Sequence, residues 1–285
     1  MFKRVTMLVA CALCTHLFAV EIDVGKGSFH LKSSMNSLFS ADCSLDITTL
    51  TLRDRDIELP YNLQLSYSID LYKSDKLDKL TTFFTKPLTY EWPFIGSMND
   101  IVDEFTPLTT PVNYKVRGID INVALLYPLW QKNRFFVSGG INTGGSFPFM
   151  KMKHLSKSLK LLLKTLDITK TRVITYKIGP ILQAGYQYDK LTAHLSASYN
   201  YQTGSIHNSL LESSAHIDGK NSILDFALSY QFTPKLQGYV GYTYKKWNND
   251  DINVKLSRLL SFQSAMFRSD FSLKNFYIGV SYSFF

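Results

Sequence analysis

The stretch FYIGVSYSFF, from Phe276 to Phe285, ends the chain and decides the fold. Apolar side chains occupy every second position, and smaller or polar residues fill most positions between them. The apolar set is Phe276, Ile278, Val280, Tyr282 and Phe284. A period of two is typical of a β-strand, in which successive side chains point to opposite faces. The strand therefore has one polar face and one apolar face, and the apolar face needs a cover.

The start of the chain predicts export. Lys3 and Arg4 precede an apolar run over residues 5–20, and a basic start followed by such a run is typical of a secretory signal peptide. We predict cleavage after Ala19, which makes 1–19 the signal peptide. Residues 20–285 are then the mature barrel domain.

A lipoprotein signal is the alternative interpretation of this region. The residues Leu8-Val9-Ala10 stand before Cys11, as such a signal requires. Only six residues separate Arg4 from Cys11, however, and this is shorter than the usual apolar region of a signal peptide.

No later segment has the ~20 uncharged apolar residues of a membrane-spanning helix. Only helices and closed barrels satisfy all backbone polar groups in lipid, so a membrane location would require a barrel. The last strand resembles the C-terminal strand of the outer-membrane β-barrels of Gram-negative bacteria. The resemblance implies that this strand closes the barrel and that its terminal aromatic belongs to the signal read by the assembly machinery. The aromatic in phase is Phe284, with Phe285 after it.

A period of two recurs along the mature chain and predicts about ten strands, with eight or twelve as alternatives. The fold class is therefore all-β, a closed antiparallel transmembrane barrel. In the first two strands the apolar phase changes, at Gly25–Gly27 and at Thr48-Thr49, and we interpret both changes as β-bulges. The predicted strands are 21–32, 44–54, 61–72, 113–127, 133–147, 172–188, 190–203, 221–232, 236–247 and 270–285.

The predicted links alternate between short and long, as expected for outer-membrane barrels with short periplasmic turns and long outer loops. This alternation places both termini in the periplasm and requires an even number of strands. The short links are 54–60, 128–132, around Asp189, and 233–235. The longer links are 33–43, 73–112, 148–171, 204–220 and 248–269.

Aromatic residues fall near both ends of these strands, as in the interfacial belts of membrane proteins. A soluble β-sandwich is the alternative, but strands of 12–15 residues exceed the usual 5–6 of soluble sheets. The belt at the short turns is Tyr127, Trp130, Tyr186, Tyr188, Phe232, Tyr282 and Phe284. The belt at the long loops is Tyr72, Tyr114, Phe147, Tyr199, Tyr201, Tyr244 and Trp247.

The net charge indicates which partners to expect, and the cysteine count bears on disulfides and metal sites. The formal net charge is +8, and export makes the phosphates of lipopolysaccharide a better partner than nucleic acid. We therefore expect outer-membrane lipids, lipopolysaccharide and the barrel assembly machinery as partners. The mature chain keeps one cysteine, Cys43, so we expect no internal disulfide, no cysteine metal site and no cofactor.

Two long links have a helical pattern. Leucine and methionine recur at helical spacing over 151–166 among five lysines, which predicts a basic amphipathic helix on the outer surface or over the barrel mouth. In 73–112, Ser97 can cap a short acidic helix that contains Asp100, Asp103 and Glu104. Their opposite charges suggest that the two helices pack together as a lid.

Polar residues that alternate with apolar ones must face the barrel interior. We expect them to form a network of hydrogen bonds and ion pairs, or to line a narrow pore. The predicted lumen-lining residues are Asp70, Asp120, Asn122, Lys177, Gln183, His194, Ser196, Asp225 and Lys245, with Asp46 and Asn200 as further inward candidates.

An outer-membrane lipid hydrolase is the alternative function. His194-Leu195-Ser196 resembles the His-x-Ser that some outer-membrane phospholipases carry on one strand. The resemblance to those phospholipases implies a site that faces lipid and an Asn directly after the Ser. Here Leu195 faces lipid, so His194 and Ser196 face inward, and Ala197 replaces the Asn.

The expected strand number is similar to that of the omptin-type outer-membrane proteases. Their Asp-His couple at the outer rim would require an acid beside a histidine, and Asp218 lies two residues after His216. No acidic pair of matching spacing stands out in 73–112. We therefore expect a non-catalytic outer-membrane protein with a structural, narrow passive channel or surface-binding role.

Overall fold

The computed structural model describes residues 19–35, 39–74, 78–80, 112–153, 170–208, 214–255 and 264–283. In these segments thirteen strands form one sheet in which every pairing is antiparallel. No helix in the described segments is long and apolar enough to cross a membrane. The strands are β1 Ala19–Met35, β2 Phe39–Leu59, β3 Leu63–Ser74, β4 Asp78–Leu80, β5 Val112–Lys132, β6 Phe135–Ser146, β7 Phe149–Lys153, β8 Lys170–Tyr188, β9 Leu191–Asn208, β10 Ala215–Thr233, β11 Leu236–Asn249, β12 Ile252–Lys255 and β13 Ser264–Ser283.

Ten of these strands close a ring in the order β1-β2-β3-β5-β6-β8-β9-β10-β11-β13, with β13 pairing back to β1. The three short strands β4, β7 and β12 extend the sheet beside β5, β8 and β13. The all-β class and the closed antiparallel ring are thus confirmed, and the two packed sheets of a sandwich are absent from the described segments.

At one end of the ring, the short-turn end, consecutive strands join through tight turns. Asn133 and Asp189 have φ angles of 56° and 53°, a region that Asn and Asp tolerate better than most residues. The turn predicted at 128–132 is wrong, because β5 continues to Lys132 across a register shift after Pro128. Likewise β2 runs on through 54–59, and its turn is the 3₁₀ helix Pro60–Asn62.

At the opposite end, the long-loop end, the strands extend further than predicted. Most of the expected link 204–220 is strand, since β9 reaches Asn208 and β10 starts at Ala215. Residues 151–153 of the predicted basic helix belong to strand β7. The rest of that helix, the acidic helix after Ser97, nearly all of the signal peptide and Phe284 lie outside the described residues.

The face of the sheet that carries the apolar side chains changes along the strands, from the outward face near the short turns to the inward face near the long loops. Near the short-turn end of β1, Ile22 and Val24 point outward and are 47 % and 52 % exposed. Further along the same strand Phe29 and Leu31 point inward and are buried, while the exposed Lys32 points outward. The register of β1 with both neighbours is unbroken through this change. The predicted bulges at Gly25–Gly27 and Thr48-Thr49 are therefore wrong.

Inside the long-loop end, apolar side chains fill the ring. We call this set the apolar core, and its members are at most 6 % exposed: Phe29, Leu31, Cys43, Leu45, Ile47, Tyr72, Val116, Met150, Val173, Ile206, Ile217, Trp247, Phe271 and Leu273. The Tyr72 ring stacks on Phe29 with centroids 5.8 Å apart. Tyr72 and Trp247 were predicted in the outer aromatic belt, so for them the structure corrects the prediction.

Outside the ring, apolar side chains cover the half nearer the short turns. We call this set the apolar band, and it includes Leu50, Leu52, Leu71, Ile119, Leu125, Ile141, Ile178, Leu182, Leu195, Leu224, Phe226, Leu228, Val240, Phe276, Ile278 and Val280, all 37–68 % exposed. Tyr67, four residues before Leu71 and in phase with it on β3, is only 6 % exposed. The half nearer the long loops has the reverse arrangement, a polar exterior around an apolar core.

Candidate functional site: the polar interior

The ring encloses polar side chains between the short turns and the apolar core. The structure places all nine predicted lumen residues there: Asp70 on β3, Asp120 and Asn122 on β5, Lys177 and Gln183 on β8, His194 and Ser196 on β9, Asp225 on β10 and Lys245 on β11. Contacts between strands on opposite arcs of the ring establish the inward direction.

Four of these residues form what we call the Asp120 cluster: Asp70, Asp120, Lys177 and Lys245. The Lys177 ammonium donates to Asp120 at 2.8 Å. The Lys245 ammonium donates to Asp120 and, at 2.5 Å, to Asp70. The cluster is neutral, with two carboxylates and two ammonium groups. The side chains of Asp120 and Lys177 are 1 % exposed, so this is a buried ion-pair network.

Neutral donors complete the coordination of the two carboxylates. Ser146 donates to Asp120, and the Asn122 amide donates to the same carboxylate at 3.0 Å. The Thr51 hydroxyl donates to Asp70 at 2.7 Å. Because the Trp247 indole donates to Ser146 at 3.0 Å, the cluster is tied directly to the apolar core above it.

A second network lies nearer the short-turn end. We call it the Asp225 cluster: Glu21, Asp23, Arg53, Arg55 and Asp225. Arg53 contacts Asp23 at 2.9 Å and Asp225 at 3.4 Å. Arg55 contacts Glu21 at 3.6 Å and Asp225 at 3.5 Å. The cluster joins strands β1, β2 and β10 across the interior.

Tyrosines support this second network. The Tyr277 hydroxyl donates to Asp225 at 3.1 Å, and the Arg53 guanidinium lies 4.5 Å from the centre of the same ring. The Arg55 guanidinium lies 5.4 Å from the Tyr239 ring. An arginine over an aromatic face is stabilised by the ring quadrupole, which compensates part of its lost hydration.

Sequence reasoning missed four members of the Asp225 cluster. Glu21 and Asp23 alternate with Ile22 and Val24, and that alternation was the available signal for their inward direction. Arg53 and Arg55 lay at the border of a predicted turn. The structure instead keeps them in β2, at a register shift between Asp54 and Ile57.

Buried amides form a third layer. The Asn142 amide donates to Asn200 at 3.2 Å, and the Asn200 amide donates to Asn221 at 3.2 Å. Asn200, one of the further inward candidates, is completely buried. Asp46, the other one, is corrected: it is exposed on the outer surface, because Leu45 and Ile47 occupy the inward positions of that stretch.

One cavity of about 90 Å³ lies between the Asp120 and Asp225 clusters. Tyr67 contributes to its wall, as do seven of the nine predicted residues: Asp70, Asn122, Gln183, His194, Ser196, Asp225 and Lys245. A polar space of this size suits a few ordered waters with several partners each.

The hydrolase pair lies inside the ring, away from the apolar band. A serine nucleophile needs a base within hydrogen-bond reach. Among the described residues the His194 Nδ1 atom has no hydrogen-bond partner, and the ring packs near Phe136 with centroids 6.4 Å apart. Lipid covering the apolar band would not reach Ser196. His194 and Ser196 instead line the polar cavity between the two clusters.

His216 and Asp218, the pair compared with the Asp-His couple of the omptin-type proteases, lie on the outer surface. His216 Nε2 is 3.2 Å from Asp218, and the two side chains are 69 % and 37 % exposed. Hydrogen bonds from Thr203 and Tyr201 hold the pKa of Asp218 below its ordinary value. In the described segments there is no group of His, Cys, Asp and Glu arranged to hold a metal ion.

Comparison with known proteins places the fold. No protein-family model matches the sequence, and no curated protein matches it. The outer-membrane protease OmpT of Escherichia coli has a similar structure, with a TM-score of 0.50 and 10 % sequence identity over 93 % of this chain and 97 % of that one.

Two further neighbours match with lower scores. The outer-membrane protein OprG of Pseudomonas aeruginosa has a TM-score of 0.38 and 10 % identity over 93 % of this chain and 95 % of its own. The translocator domain of the autotransporter NalP of Neisseria meningitidis has a TM-score of 0.38 and 9 % identity over 100 % and 95 %. The ring of antiparallel strands, with its apolar exterior band, has the fold of the bacterial outer-membrane β-barrel proteins.

Proposed function

We propose that this chain is an integral outer-membrane protein whose barrel is closed to solutes and whose role is structural or surface-binding, without catalysis. The observation that carries this proposal is the apolar core. An ion entering from the long-loop end would have to give up its hydration among side chains that are at most 6 % exposed. Burying an unpaired charge in such surroundings is strongly unfavourable.

The interior below the core supports the same proposal. A narrow passive channel would need a water path past the Asp120 cluster. Lys245 instead joins Asp70 to Asp120 across the ring, so its ammonium group lies in the path. In this proposal the cavity of about 90 Å³ between the two clusters is a local space and not part of a continuous path.

The exterior supports a membrane location for the apolar band. Exposed aromatics border it at the short-turn end, including Tyr127, Trp130, Tyr188 and Phe232, and at its other edge, including Tyr176, Tyr199 and Tyr201. Aromatic belts of this kind mark the two membrane interfaces. In this proposal both termini are periplasmic, the mature chain begins near Val20, and the barrel assembly machinery inserts it.

Beyond the band, the ring continues as a polar-surfaced cylinder around the apolar core. Strand ends at this level carry the connections between β4 and β5 and between β7 and β8. We infer that the polar outer surface of this cylinder lies above the membrane, where it can bind partners. Lipopolysaccharide and other outer-membrane lipids would surround the band.

The test is reconstitution of the full mature protein. We expect fractionation with the outer membrane, a gel mobility that changes on boiling, and planar bilayers without ohmic steps. Stepwise conductance whose ion preference moves toward anions on charge reversal at Asp120 or Asp225 would contradict a closed barrel and establish the channel. A soluble periplasmic distribution without a mobility shift would contradict the membrane location itself.

A further inference from the structure

Basic residues form a regular grid on the outer surface, just above the apolar band. Cross-strand register places Lys73, Arg117, Phe149 and Arg172 side by side on β3, β5, β7 and β8. Two residues further along, Lys115, Lys151 and Lys170 stand side by side on β5, β7 and β8. We call the six basic residues the cationic patch: Lys73, Lys115, Arg117, Lys151, Lys170 and Arg172.

The patch faces outward and is accessible. Tyr72, Val116, Met150 and Val173 are buried in the apolar core, so the residues next to them point away from it. Five members of the patch are exposed and Lys151 is half-buried. With strands about 4.8 Å apart and about 3.4 Å per residue, the grid covers roughly 14 Å by 7 Å.

The position of the cationic patch relative to the apolar band follows from the residues next to it on the same strands. Leu71 and Ile119 stand opposite each other on β3 and β5, two residues below Lys73 and Arg117. They belong to the apolar band and are 43 % and 41 % exposed. The patch therefore begins at the level where lipid tails would give way to headgroups.

The patch carries one sign of charge. Among the described residues, the outward register partners of its members, other than one another, are Thr48, Phe149 and His207. Two described acids lie near the edge of the grid in register: Asp46, diagonal to Lys73, and Asp78, whose partner Tyr114 precedes Lys115. Like charges opposite each other destabilise a sheet. An anionic ligand would remove this repulsion.

The opposite side of the barrel shows a different pattern. There His30 lies 2.5 Å from Asp42, and Arg268 lies 3.0 Å from Asp270. His30 and Arg268 thus have acidic neighbours. Lys220, Lys246 and Lys274 on that side have neutral register partners, but no two of them stand opposite each other. Among the described residues, the compact grid of like charges therefore lies over β3 to β8.

Phe149 gives the grid a specific geometry. The Arg117 guanidinium lies 4.9 Å from the centre of the Phe149 ring. Arg172 stands opposite Phe149 on the next strand. Stacking on the ring orients a planar guanidinium, and an oriented guanidinium can bind phosphate through two parallel hydrogen bonds.

We propose that the cationic patch is the binding site for the phosphorylated headgroup of an outer-leaflet saccharolipid, whose acyl chains lie along the apolar band below it. This inference rests on the proposed membrane location and adds one defined lipid site to it. Several cations in a compact grid suit a headgroup with more than one phosphate. The adjoining apolar surface suits a ligand that also has acyl chains.

The test compares two triple variants of the full mature protein in phosphatidylcholine nanodiscs. The first is Arg117→Gln/Lys151→Gln/Arg172→Gln, within the patch. The matched control replaces three outward lysines whose register partners are neutral, Lys220→Gln/Lys246→Gln/Lys274→Gln. The probes are bisphosphorylated lipid A, the same lipid without phosphates, inorganic phosphate, and soluble heparin.

We expect the wild type to bind the bisphosphorylated lipid, and the patch variant to bind it roughly tenfold more weakly or worse. The control should change affinity by about twofold or less. Three results would each overturn the site. The two variants could lose affinity equally, or the lipid without phosphates could bind as tightly as the bisphosphorylated lipid. Inorganic phosphate or heparin could also bind as tightly as that lipid.

A second readout separates this site from the barrel itself. In uncharged detergent, without lipid, the patch variant should unfold at a higher temperature than the wild type, because neighbouring like charges are removed. Boiling-dependent gel mobility reports whether each variant forms the barrel. A variant that folds and still binds the lipid fully would overturn the lipid site alone, whereas a wild type that fails to insert would overturn the proposed function.

Discussion

The Lys245 ammonium lies 2.5 Å from the Asp70 carboxylate, although β13, β1 and β2 separate their strands along the shorter arc of the ring. The two side chains can meet only through the interior. Asp120 accepts from the same ammonium group and from Lys177, so four strands on opposite sides of the ring are joined at one point. The interior at this level is bridged by protein charges.

Asp120→Asn tests this bridge. Loss of the carboxylate charge leaves the buried Lys177 and Lys245 ammonium groups with less compensation, and breaking a buried pair costs about 3–5 kcal/mol. Urea unfolding in detergent, followed by gel mobility, measures the change in the free energy of unfolding. Asp46→Asn on the exposed surface is the control and should stay within about 0.5 kcal/mol. Equal effects would show that the cluster contributes nothing to stability.

The outward face of β1 is apolar near the short turns and polar near the long loops. An added outward charge should therefore be costly in the first region and tolerated in the second. Val24→Arg places a charge in the apolar band and should cost about 2–4 kcal/mol if the residue lies near the bilayer midplane. His30→Arg adds a permanent charge to the polar exterior beside Asp42 and should change stability by about 0.5 kcal/mol or less. The same unfolding measurement compares them. A similar penalty at both positions would place the membrane along the whole strand.

Cys43 reports on whether the long-loop end is closed. Its thiol points into the apolar core and is 6 % exposed, so a membrane-impermeant maleimide should label it only after unfolding. Ser44→Cys, made in a Cys43→Ser background, places a thiol on the adjacent outward position, which is exposed, and should be labelled in the folded barrel. Rapid labelling of native Cys43 would mean that water reaches the interior from this end.

The hydrolase alternative has its own test. We expect folded protein to release no fatty acid from outer-membrane lipids, with or without calcium, because His194 and Ser196 lie inside the ring. His194→Ala and Ser196→Ala should then leave the background signal unchanged. Release that both substitutions abolish, in variants with normal gel mobility, would instead establish an enzyme.

Much of the membrane half could be predicted from sequence alone. In β10 the residues Leu224, Phe226 and Leu228 alternate with small or polar ones. Such alternation requires lipid outside and polar contacts inside. Charged residues between them, such as Asp225, could only face inward. The predicted lumen residues follow from this rule.

The half beyond the band could not be predicted by the same rule. Apolar residues such as Phe29 and Leu45 still alternate there, but water replaces lipid outside, so the apolar face turns inward without any change in register. A period of two does not reveal which solvent the strand faces. The pairing of Lys245 with Asp70 also depends on the stagger of the ring, which the alternation within single strands does not encode.

The cationic patch and its neighbours have a consequence for how the inserted barrel is retained. In the proposed orientation, movement toward the periplasm would draw Lys73, Arg117, Arg172 and the other outward charges through hydrocarbon, where each charged side chain is costly. Motion the other way would expose the apolar band to water and pull the short-turn aromatics into the tails. In the proposed orientation, the charges on one side of the bilayer and the aromatic rings on the other would therefore resist movement in both directions and keep the barrel at one depth.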